Sequence, residues 1–289
     1  LGDDCAYLEK YGIAVSMDTL VEDVHFSRKF MSDFEIGKKA LLVNISDILA
    51  SGAKPEYCLI SLSGKLDNSF IKNFYNGINE IAEKYDVKIV GGDLTAGDKI
   101  TISITIFGDC KNRNVSSRKN ADNNYVIAVS GEFGSSAAGL NYLLKGNLDN
   151  KTVNAEYFIE KHKNPTLYPE ISEKIATKSK DKYAMMDSSD GLFDCLYQIS
   201  KKSGVRIDVS YDKIPKKIDR KKEEGEVLFG GEDYALVVAL SEKDFNNLKD
   251  IGLIKIGTCT KEKNKNDINV YIDNKKVDYS DFRGFKHFE

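Results

Sequence analysis

The sequence predicts an α/β (α+β) protein with two domains. Ile100, Ile102, Ile104 and Ile106 alternate with Thr and Ser, which is typical of a strand with one buried face. Apolar residues at helical spacing stand between such strands. The length of 289 residues allows either one large core or two ordinary ones. Because the polar stretch 111–124 separates two such patterns, we expect an N-terminal domain over 1–112 and a C-terminal α/β domain over 113–289.

The first half is predicted to contain four strands and two helices. A buried strand is expected at 13–18, and Asp33 is expected to cap a helix that ends near residue 51, before Gly52. A second helix is predicted to begin at Asn68 or Ser69 and to run to about residue 85. The other strands are expected at 58–63, 87–90 and 100–107.

The second half repeats the alternation of strands and helices. Asp190 is predicted to cap a helix, and the charge-dense stretch 212–226 is predicted to be an exposed loop. Other helices are expected at 135–144, 154–162, 168–179 and 241–250. Strands are expected at 125–130, 184–186, 205–209, 234–240, 253–258 and 268–272.

Composition excludes several classes of protein. The chain is 41% hydrophobic and 30% charged with a net charge of −3, so bulk charge gives no reason to expect nucleic-acid binding. Its five cysteines are odd in number, widely spaced and without a C-x-x-C pair, which argues against a disulfide framework or a zinc site and favours a reducing cytoplasm. We see no apolar run long enough to span a membrane and expect no membrane partner.

Five short acidic motifs are the most informative feature of the chain. Most follow an apolar run and contain Gly or Ser, as at the end of a strand. Carboxylates gathered there repel one another, and Mg²⁺ relieves that repulsion while keeping waters and substrate phosphates as ligands. Each motif alone is better explained as a turn; together they favour Mg²⁺-nucleotide chemistry. They are Gly2-Asp3-Asp4, Ser16-Met17-Asp18-Thr19, Asn44-Ile45-Ser46-Asp47, Gly91-Gly92-Asp93 and Asp187-Ser188-Ser189-Asp190-Gly191.

The remaining motifs are weaker. The chain lacks a Walker P-loop and the protein-kinase motifs. The glycine-rich stretch 131–139 suits either a phosphate at a helix N-terminus or tight packing. The run Gly230-Gly231-Glu232-Asp233-Tyr234 puts two acids beside a turn. His25 and Arg118 are each more often structural or exposed than functional, and His162 has no local signal.

Taken together, the chain resembles the thiamine-monophosphate kinases, of the aminoimidazole-ribonucleotide synthase superfamily. The matching motifs keep the family's order and span nearly the whole sequence. They include residues 2–6, 18–26, 39–47, 91–95, 135–140, 187–192 and 230–234.

The resemblance implies ATP-dependent phosphorylation of thiamine monophosphate to thiamine diphosphate, with ATP as co-substrate and several Mg²⁺ ions. It also implies an aminoimidazole-ribonucleotide-synthase-like fold and a homodimer joined through the N-terminal mixed sheets. By motif match, metals would be held by Asp4, Ser16, Met17 through its carbonyl, Asp18, Asp47, Asp93, Asp187 and Asp190. ATP would be contacted by Gly92, Asp93, Arg118 and Ser189, and the substrate by His25, Glu232 and Phe282.

Two departures from the family concern these residues. Met17 stands where Thr is usual, which removes a hydroxyl ligand, and Phe282 stands where Trp is common, which leaves a smaller aromatic wall. We expect Asp18, Asp47, Asp93 and Asp187 to form one metal cluster, with no covalent nucleophile or general base. We also expect the strand at 100–107 to pair across the dimer axis or to lie close to it.

Two alternatives stay open on sequence alone. One is another ATP-dependent synthase of the same superfamily, which would activate an amide or carbonyl oxygen by phosphorylation. The other is a non-catalytic module that binds Mg²⁺-nucleotide without consuming it.

Overall fold

A computed structural model describes residues 2–145, 155–218, 220–261 and 269–281; for residues 220–223, 249 and 281 it describes only the backbone. The described chain forms two sheets, one from residues 6–109 and one from residues 126–277. The division into domains at residues 112 and 113 stays a prediction. Phe282 lies outside the described residues.

The first sheet has five strands among the described residues, and two helices lie between its strands along the chain. Its strands are β1 (Ala6–Leu8), β2 (Ile13–Val21), β3 (Lys54–Gly64), β4 (Lys88–Ala96) and β5 (Thr101–Asp109). The helices are α1 (Asp33–Ala50) and α2 (Asn68–Tyr85). The order is β1-β2-β5-β3-β4, with β3 and β4 parallel and the other neighbours antiparallel, so the prediction of a mixed sheet is confirmed.

The alternation in β5 separates the two faces of this sheet. Ile102, Ile104 and Ile106 are fully buried, whereas Thr101, Ser103 and Thr105 on the opposite face are only half-buried. Because β5 lies between β2 and β3, both of its backbone edges are already hydrogen-bonded. The predicted strand pairing across a dimer axis through β5 is therefore wrong, and only a contact through its Thr and Ser face is compatible with the sheet.

Helix α1 is buried on nearly every side because it packs against both sheets. It begins with a capping box in which the hydroxyl of Ser32 accepts from the Glu35 N–H and the Glu35 carboxylate accepts from the Ser32 N–H. The cap is thus Ser32, one residue before the predicted Asp33. Near its other end, the Leu49 carbonyl accepts a hydrogen bond from Ser172 Oγ at 2.6 Å. Helix α1 therefore fixes the two sheets relative to each other.

The second sheet has seven strands among the described residues. They are β6 (Val126–Val129), β7 (Ala184–Asp187), β8 (Val205–Val209), β9 (Leu236–Leu240), β10 (Ile254–Lys261), β11 (Asn269–Ile272) and β12 (Lys275–Val277). The order is β12-β11-β8-β10-β6-β9-β7. All residues of β6, β7 and β9 are buried, because helices cover both faces of this sheet. The helices of this half are α3 (Ser135–Lys145), α4 (Ala155–Lys163), α5 (Pro169–Lys178), α6 (Leu192–Ser203), α7 (Arg220–Phe229) and α8 (Glu242–Leu248).

Three local predictions fail. The predicted loop at 212–226 contains most of helix α7, because its charged residues are compatible with an exposed helix as well as with a loop. The N-cap of α6 is Gly191, and no side chain caps it, so Asp190 is not the cap. Strand β4 continues through Gly91-Gly92-Asp93, which the sequence placed after the strand.

Candidate active site

Three carboxylates from distant parts of the chain converge where α1 meets the second sheet. Asp4 precedes β1, Asp47 lies in the last third of α1, and Asp187 ends β7. One oxygen of each lies within 4.8 Å of the others. Only Asp187 occupies the strand end that the sequence predicted for most of the acids, since Asp18 lies inside β2. Tertiary packing, and not a shared sheet edge, brings this acidic cluster together.

Neighbouring side chains fix each of the three carboxylates. Ser16 Oγ donates to Asp47 Oδ2 at 2.5 Å, which joins β2 to α1. Ser46 Oγ donates to Asp187 Oδ2 at 2.6 Å, which joins α1 to β7. Arg118 pairs with Asp4 through Nη2 and Oδ1 at 2.8 Å. The carboxylates are therefore held in place before any ligand arrives.

The electrostatics of the cluster favour a cation. Burial, together with the nearby charge of Asp4, raises the pKa of Asp187 to about 8. Burial and the charge of Asp187 raise the pKa of Asp47 well above its usual value. Burial also raises the pKa of Asp4, although Arg118 opposes the shift. Asp187 Oδ1 is buried and has no hydrogen-bond partner within the described residues, so it is available as a ligand.

Asp18 and Asp190 lie at the border of the cluster. The Asp18 N–H donates to Asn44 Oδ1 at 3.0 Å, which ties β2 to α1. Burial, then the charges of Asp190 and Asp4, raises the pKa of Asp18, so the Asp190 carboxylate lies near enough to interact with it. The side chain of Met17 is 61% exposed on the opposite face of the sheet. The Met17 side chain therefore points away from the cluster, and a metal role for its backbone carbonyl stays a prediction.

Within one chain, Asp93 is not part of this cluster. It lies on the edge strand β4, exposed, and the sheet order puts β5 and β3 between β4 and β2. Strand register sets Gly92 level with Asp18, three strand spacings or roughly 14 Å away. A Cβ at Gly92 would overlap the Ile60 carbonyl oxygen, which requires glycine there. The metal and nucleotide roles of Asp93 and Gly92 stay predictions.

The other two predicted nucleotide contacts lie beside the cluster. Arg118 Nε is buried and lacks a hydrogen-bond partner among the described residues, although Nη2 is engaged by Asp4. The Ser189 carbonyl accepts from the Glu232 N–H at 2.8 Å, which connects the loop after β7 to the loop before β9. Arg118 therefore keeps a donor for an anion next to the acidic cluster.

The predicted substrate residues have different surroundings. Glu232 lies in a loop; its carboxylate pairs with Lys39 Nζ at 3.1 Å and lies 3.2 Å from His162 Nδ1. His25 Nδ1 accepts from the Val21 N–H at 3.0 Å. Sequence reasoning missed Lys39 and His162 as partners of Glu232. The only signal for Lys39 was its place at the head of the motif 39–47.

Among the helices in the described part of the chain, none has the length and apolar character needed to span a bilayer.

The part of the chain that contains the first sheet belongs to a known class of protein: residues 2–110 match the family described as AIR synthase related protein, N-terminal domain. Thiamine-monophosphate kinase of Bacillus subtilis strain 168 is 36% identical over 306 aligned positions, which cover 100% of this chain and 93% of the relative. The chain belongs to the thiamine-monophosphate kinase family.

Solved structures agree with this assignment. The structure described as AaThiL complexed with AMPPCP and TMP is 31% identical, with a TM-score of 0.87, and the match covers 100% of this chain and 92% of that one. The thiamine monophosphate kinase structure from Aquifex aeolicus is 30% identical with a TM-score of 0.83, covering 95% and 92%. The predicted aminoimidazole-ribonucleotide-synthase-like fold is confirmed.

Proposed function

We propose that the chain transfers the γ-phosphoryl group of ATP to thiamine monophosphate, giving thiamine diphosphate and ADP. Support comes from the names of its relatives and from the similar structure described as complexed with AMPPCP and TMP. The observation that carries the proposal is the cluster of Asp4, Asp47 and Asp187, in which a buried Asp187 oxygen lacks a partner among the described residues. Phosphoryl transfer depends mainly on positioning and charge neutralisation, which such a cluster supports.

The cluster fits Mg²⁺. The ion takes hard oxygen ligands, and three anchored carboxylates with raised pKa values offer them. When bound, Mg²⁺ would neutralise negative charge on the phosphates. The residues that would hold several such ions are Asp4, Ser16, Met17 through its carbonyl, Asp18, Asp47, Asp187 and Asp190, with Asp93 as the separate case.

The transfer proceeds directly and in line. The acceptor is a phosphate monoester whose second pKa is about 6, so at neutral pH it is already a nucleophilic dianion. The protein therefore needs neither a general base nor a covalent nucleophile; its residues bind and orient the two substrates. Arg118 holds a phosphate with the donor that Asp4 leaves unused, and Ser189 contacts the nucleotide from the neighbouring loop. His25, Glu232 and Phe282 hold thiamine monophosphate.

The active form is a homodimer joined through the first sheets. The face of this sheet turned away from α1 and α2 carries apolar side chains that the described residues leave uncovered: Met17 is 61% exposed and Leu59 38%. Strand register places Met17 and Leu59 level with each other on either side of Thr105 in β5. The free edge of β4, with Val90 56% exposed, adds to this surface. A second copy would cover the apolar face and surround Gly92 and Asp93, where the nucleotide and metal roles predicted for them would apply.

Release of ADP separates this proposal from its alternatives. With Mg²⁺ and ATP, the chain should release ADP only when thiamine monophosphate is added, and phosphorus NMR should detect thiamine diphosphate in equal amount. Asp187→Asn is the matched control, because it keeps the side-chain shape and removes the charge. ADP release that depends on a different carbonyl or amide substrate would indicate another synthase of the superfamily. Nucleotide binding without any ADP release would indicate a non-catalytic module.

A further inference from the structure

A network of three polar side chains, Lys39, His162 and Glu232, links helix α1 to the loop that carries Glu232. Lys39 Nζ lies 3.1 Å from Glu232 Oε1 and 3.2 Å from Oε2. His162 Nδ1, on α4, lies 3.2 Å from Glu232 Oε2 and 3.1 Å from Ser136 Oγ. Lys39 therefore contacts both oxygens of the Glu232 carboxylate, and His162 contacts Oε2 from a second side.

The exposed fractions show which side chain of this network faces outward. Lys39 is 1% exposed and the side chain of His162 is 3% exposed, whereas the side chain of Glu232 is 28% exposed. A buried ammonium group is costly without a partner, so Lys39 constrains Glu232 strongly. Among these three side chains, Glu232 is therefore the one that a ligand can readily approach.

The backbone of the loop is constrained as well. Glu232 has φ of 66° and Tyr234 has φ of 52°, in the left-handed region that residues other than glycine rarely adopt. The Glu232 N–H donates to the Ser189 carbonyl at 2.8 Å. The Asp233 carboxylate accepts from the backbone N–H groups of Gly134 and Ser136 at 2.6 and 3.0 Å. A strained loop persists when its surroundings fix it from several sides, and such loops are concentrated at binding sites.

We propose that Lys39 and His162 are positioning residues that hold the Glu232 carboxylate as a fixed acceptor for the amino group on the pyrimidine ring of thiamine monophosphate. This inference rests on the proposed function. Lys39 compensates the charge of Glu232, so the carboxylate acts as an oriented hydrogen-bond acceptor more than as a free negative charge. An oriented acceptor suits a neutral amino group that can donate, whereas the cationic thiazolium ring has no N–H to donate.

Steady-state kinetics of single variants test the role of each residue. Lys39→Met, which removes the hydrogen bond to Glu232, and His162→Leu, which removes the polar contact to Glu232 Oε2, should each raise the KM for thiamine monophosphate roughly ten-fold and leave the KM for ATP unchanged. His162→Asn should stay near the wild type, since the Asn side-chain amide can restore a polar contact to Glu232 Oε2. The matched control is Lys163→Met, which removes another ion pair between α4 and α1, from Lys163 Nζ to Glu35 Oε1 at 3.1 Å, and should change neither KM.

Discrimination between two substrates, measured as the ratio of their kcat/KM values, should change if the residues position Glu232 and should not change if their role is purely structural. Oxythiamine monophosphate has a carbonyl in place of the amino group, so the wild type should use it with a much lower kcat/KM. Lys39→Met and His162→Leu should reduce this discrimination, and His162→Asn should keep it. If Lys39→Met does not fold, the double variant Lys39→Met/Glu232→Gln, which removes both charges of the ion pair, can replace it. Together with the two His162 variants, it still tests whether Glu232 is positioned by its neighbours.

Other outcomes overturn the inference. If Glu232→Gln raises the KM for thiamine monophosphate but the Lys39 and His162 variants do not, Lys39 and His162 do not position Glu232. If the variants raise the KM values for both substrates equally, the network is structural only. A wild-type chain that binds ATP but never phosphorylates thiamine monophosphate would overturn the proposed function itself, and this result is visible before any variant is made.

Discussion

Ser46 Oγ lies 2.6 Å from Asp187 Oδ2, and this hydrogen bond joins helix α1 to the end of strand β7. The two residues are 141 positions apart in the sequence. Asp47, the next residue on α1, contributes to the same acidic cluster. The cluster therefore exists only when α1 is packed against the second sheet, and its acids respond to changes in the helix.

Ser46→Ala should weaken the cluster without removing a carboxylate. Asp187 would lose the donor to Oδ2 while remaining buried, at a cost of about 1–3 kcal/mol in the metal-free free energy of unfolding. We expect the Mg²⁺ concentration for half-maximal ADP release to rise several-fold. Ser172→Ala is the control, because the Ser172 hydroxyl is also a buried donor to α1 but bonds the Leu49 backbone carbonyl, at 2.6 Å, and not a carboxylate of the cluster. Equal effects of both substitutions would show that Ser46 has no special relation to the metal site.

Asp47→Asn should keep the fold and reduce turnover by orders of magnitude. It removes one negative charge from a metal site whose other carboxylates lie within 4.8 Å. The metal-free protein should be at least as stable as the wild type, because repulsion among buried like charges is relieved. Thermal melts without Mg²⁺ and ADP release at saturating Mg²⁺ measure the two effects. Near-normal turnover of Asp47→Asn would exclude a role for Asp47 in metal binding.

Leu59→Glu should convert a dimer into monomers. Leu59 lies on the uncovered face of the first sheet, and a charge there would be desolvated against a second copy. Sedimentation velocity at micromolar concentration should show a dimer for the wild type and a monomer for the variant. Leu144→Glu, at a residue that is 68% exposed near the end of α3, is the control and should stay dimeric. A fully active wild-type monomer would contradict the proposed assembly.

Protonation of the buried His162 should lower the stability of the protein in mild acid. Burial, and next the charge of Lys39, lowers the pKa of His162 from its ordinary 6.5 to about 4. Between pH 6.5 and pH 4 the unfolded chain binds a proton at His162 that the folded chain does not bind. The contribution of neutral His162 to the free energy of unfolding is therefore complete above about pH 6.5 and is lost as pH falls towards 4. The loss amounts to about 3 kcal/mol.

Denaturant titrations of the wild type and His162→Asn at pH 7 and pH 4 measure this effect. The free energy of unfolding should fall less for the variant, because Asn does not titrate. Parallel pH dependences of the two proteins would show that His162 is protonated equally readily in the folded and unfolded chains.

Phe282→Ala should raise the KM for thiamine monophosphate several-fold and leave that for ATP nearly unchanged. The family resemblance assigns Phe282 as an aromatic wall beside the cationic thiazolium ring, a contact of roughly 0.5–2 kcal/mol. Phe282→Trp, which restores the commoner residue, should bind thiamine monophosphate as well or better. If both substitutions change only the KM for ATP, Phe282 belongs to the nucleotide site.

The periodicity of the sequence was sufficient for most secondary structure. The isoleucine alternation predicted β5, and helical spacing predicted α2, because each pattern depends on neighbours within one element. The same reasoning missed the short strands β1 and β12, which have only three residues each. It also ended β4 too early at Gly91, since an edge strand can contain glycines that a turn would equally favour.

The sequence by itself determined the family, because ordered motifs along nearly the whole chain identify it without any geometry. Only the tertiary structure decided which acids meet: Asp4, Asp47 and Asp187 converge, while Asp93 lies on the far edge of the first sheet. Only the tertiary structure paired Lys39 with Glu232, which are 193 positions apart. The physical reason is that local patterns report on the burial of each element, whereas distances between remote side chains depend on how the packed elements are arranged.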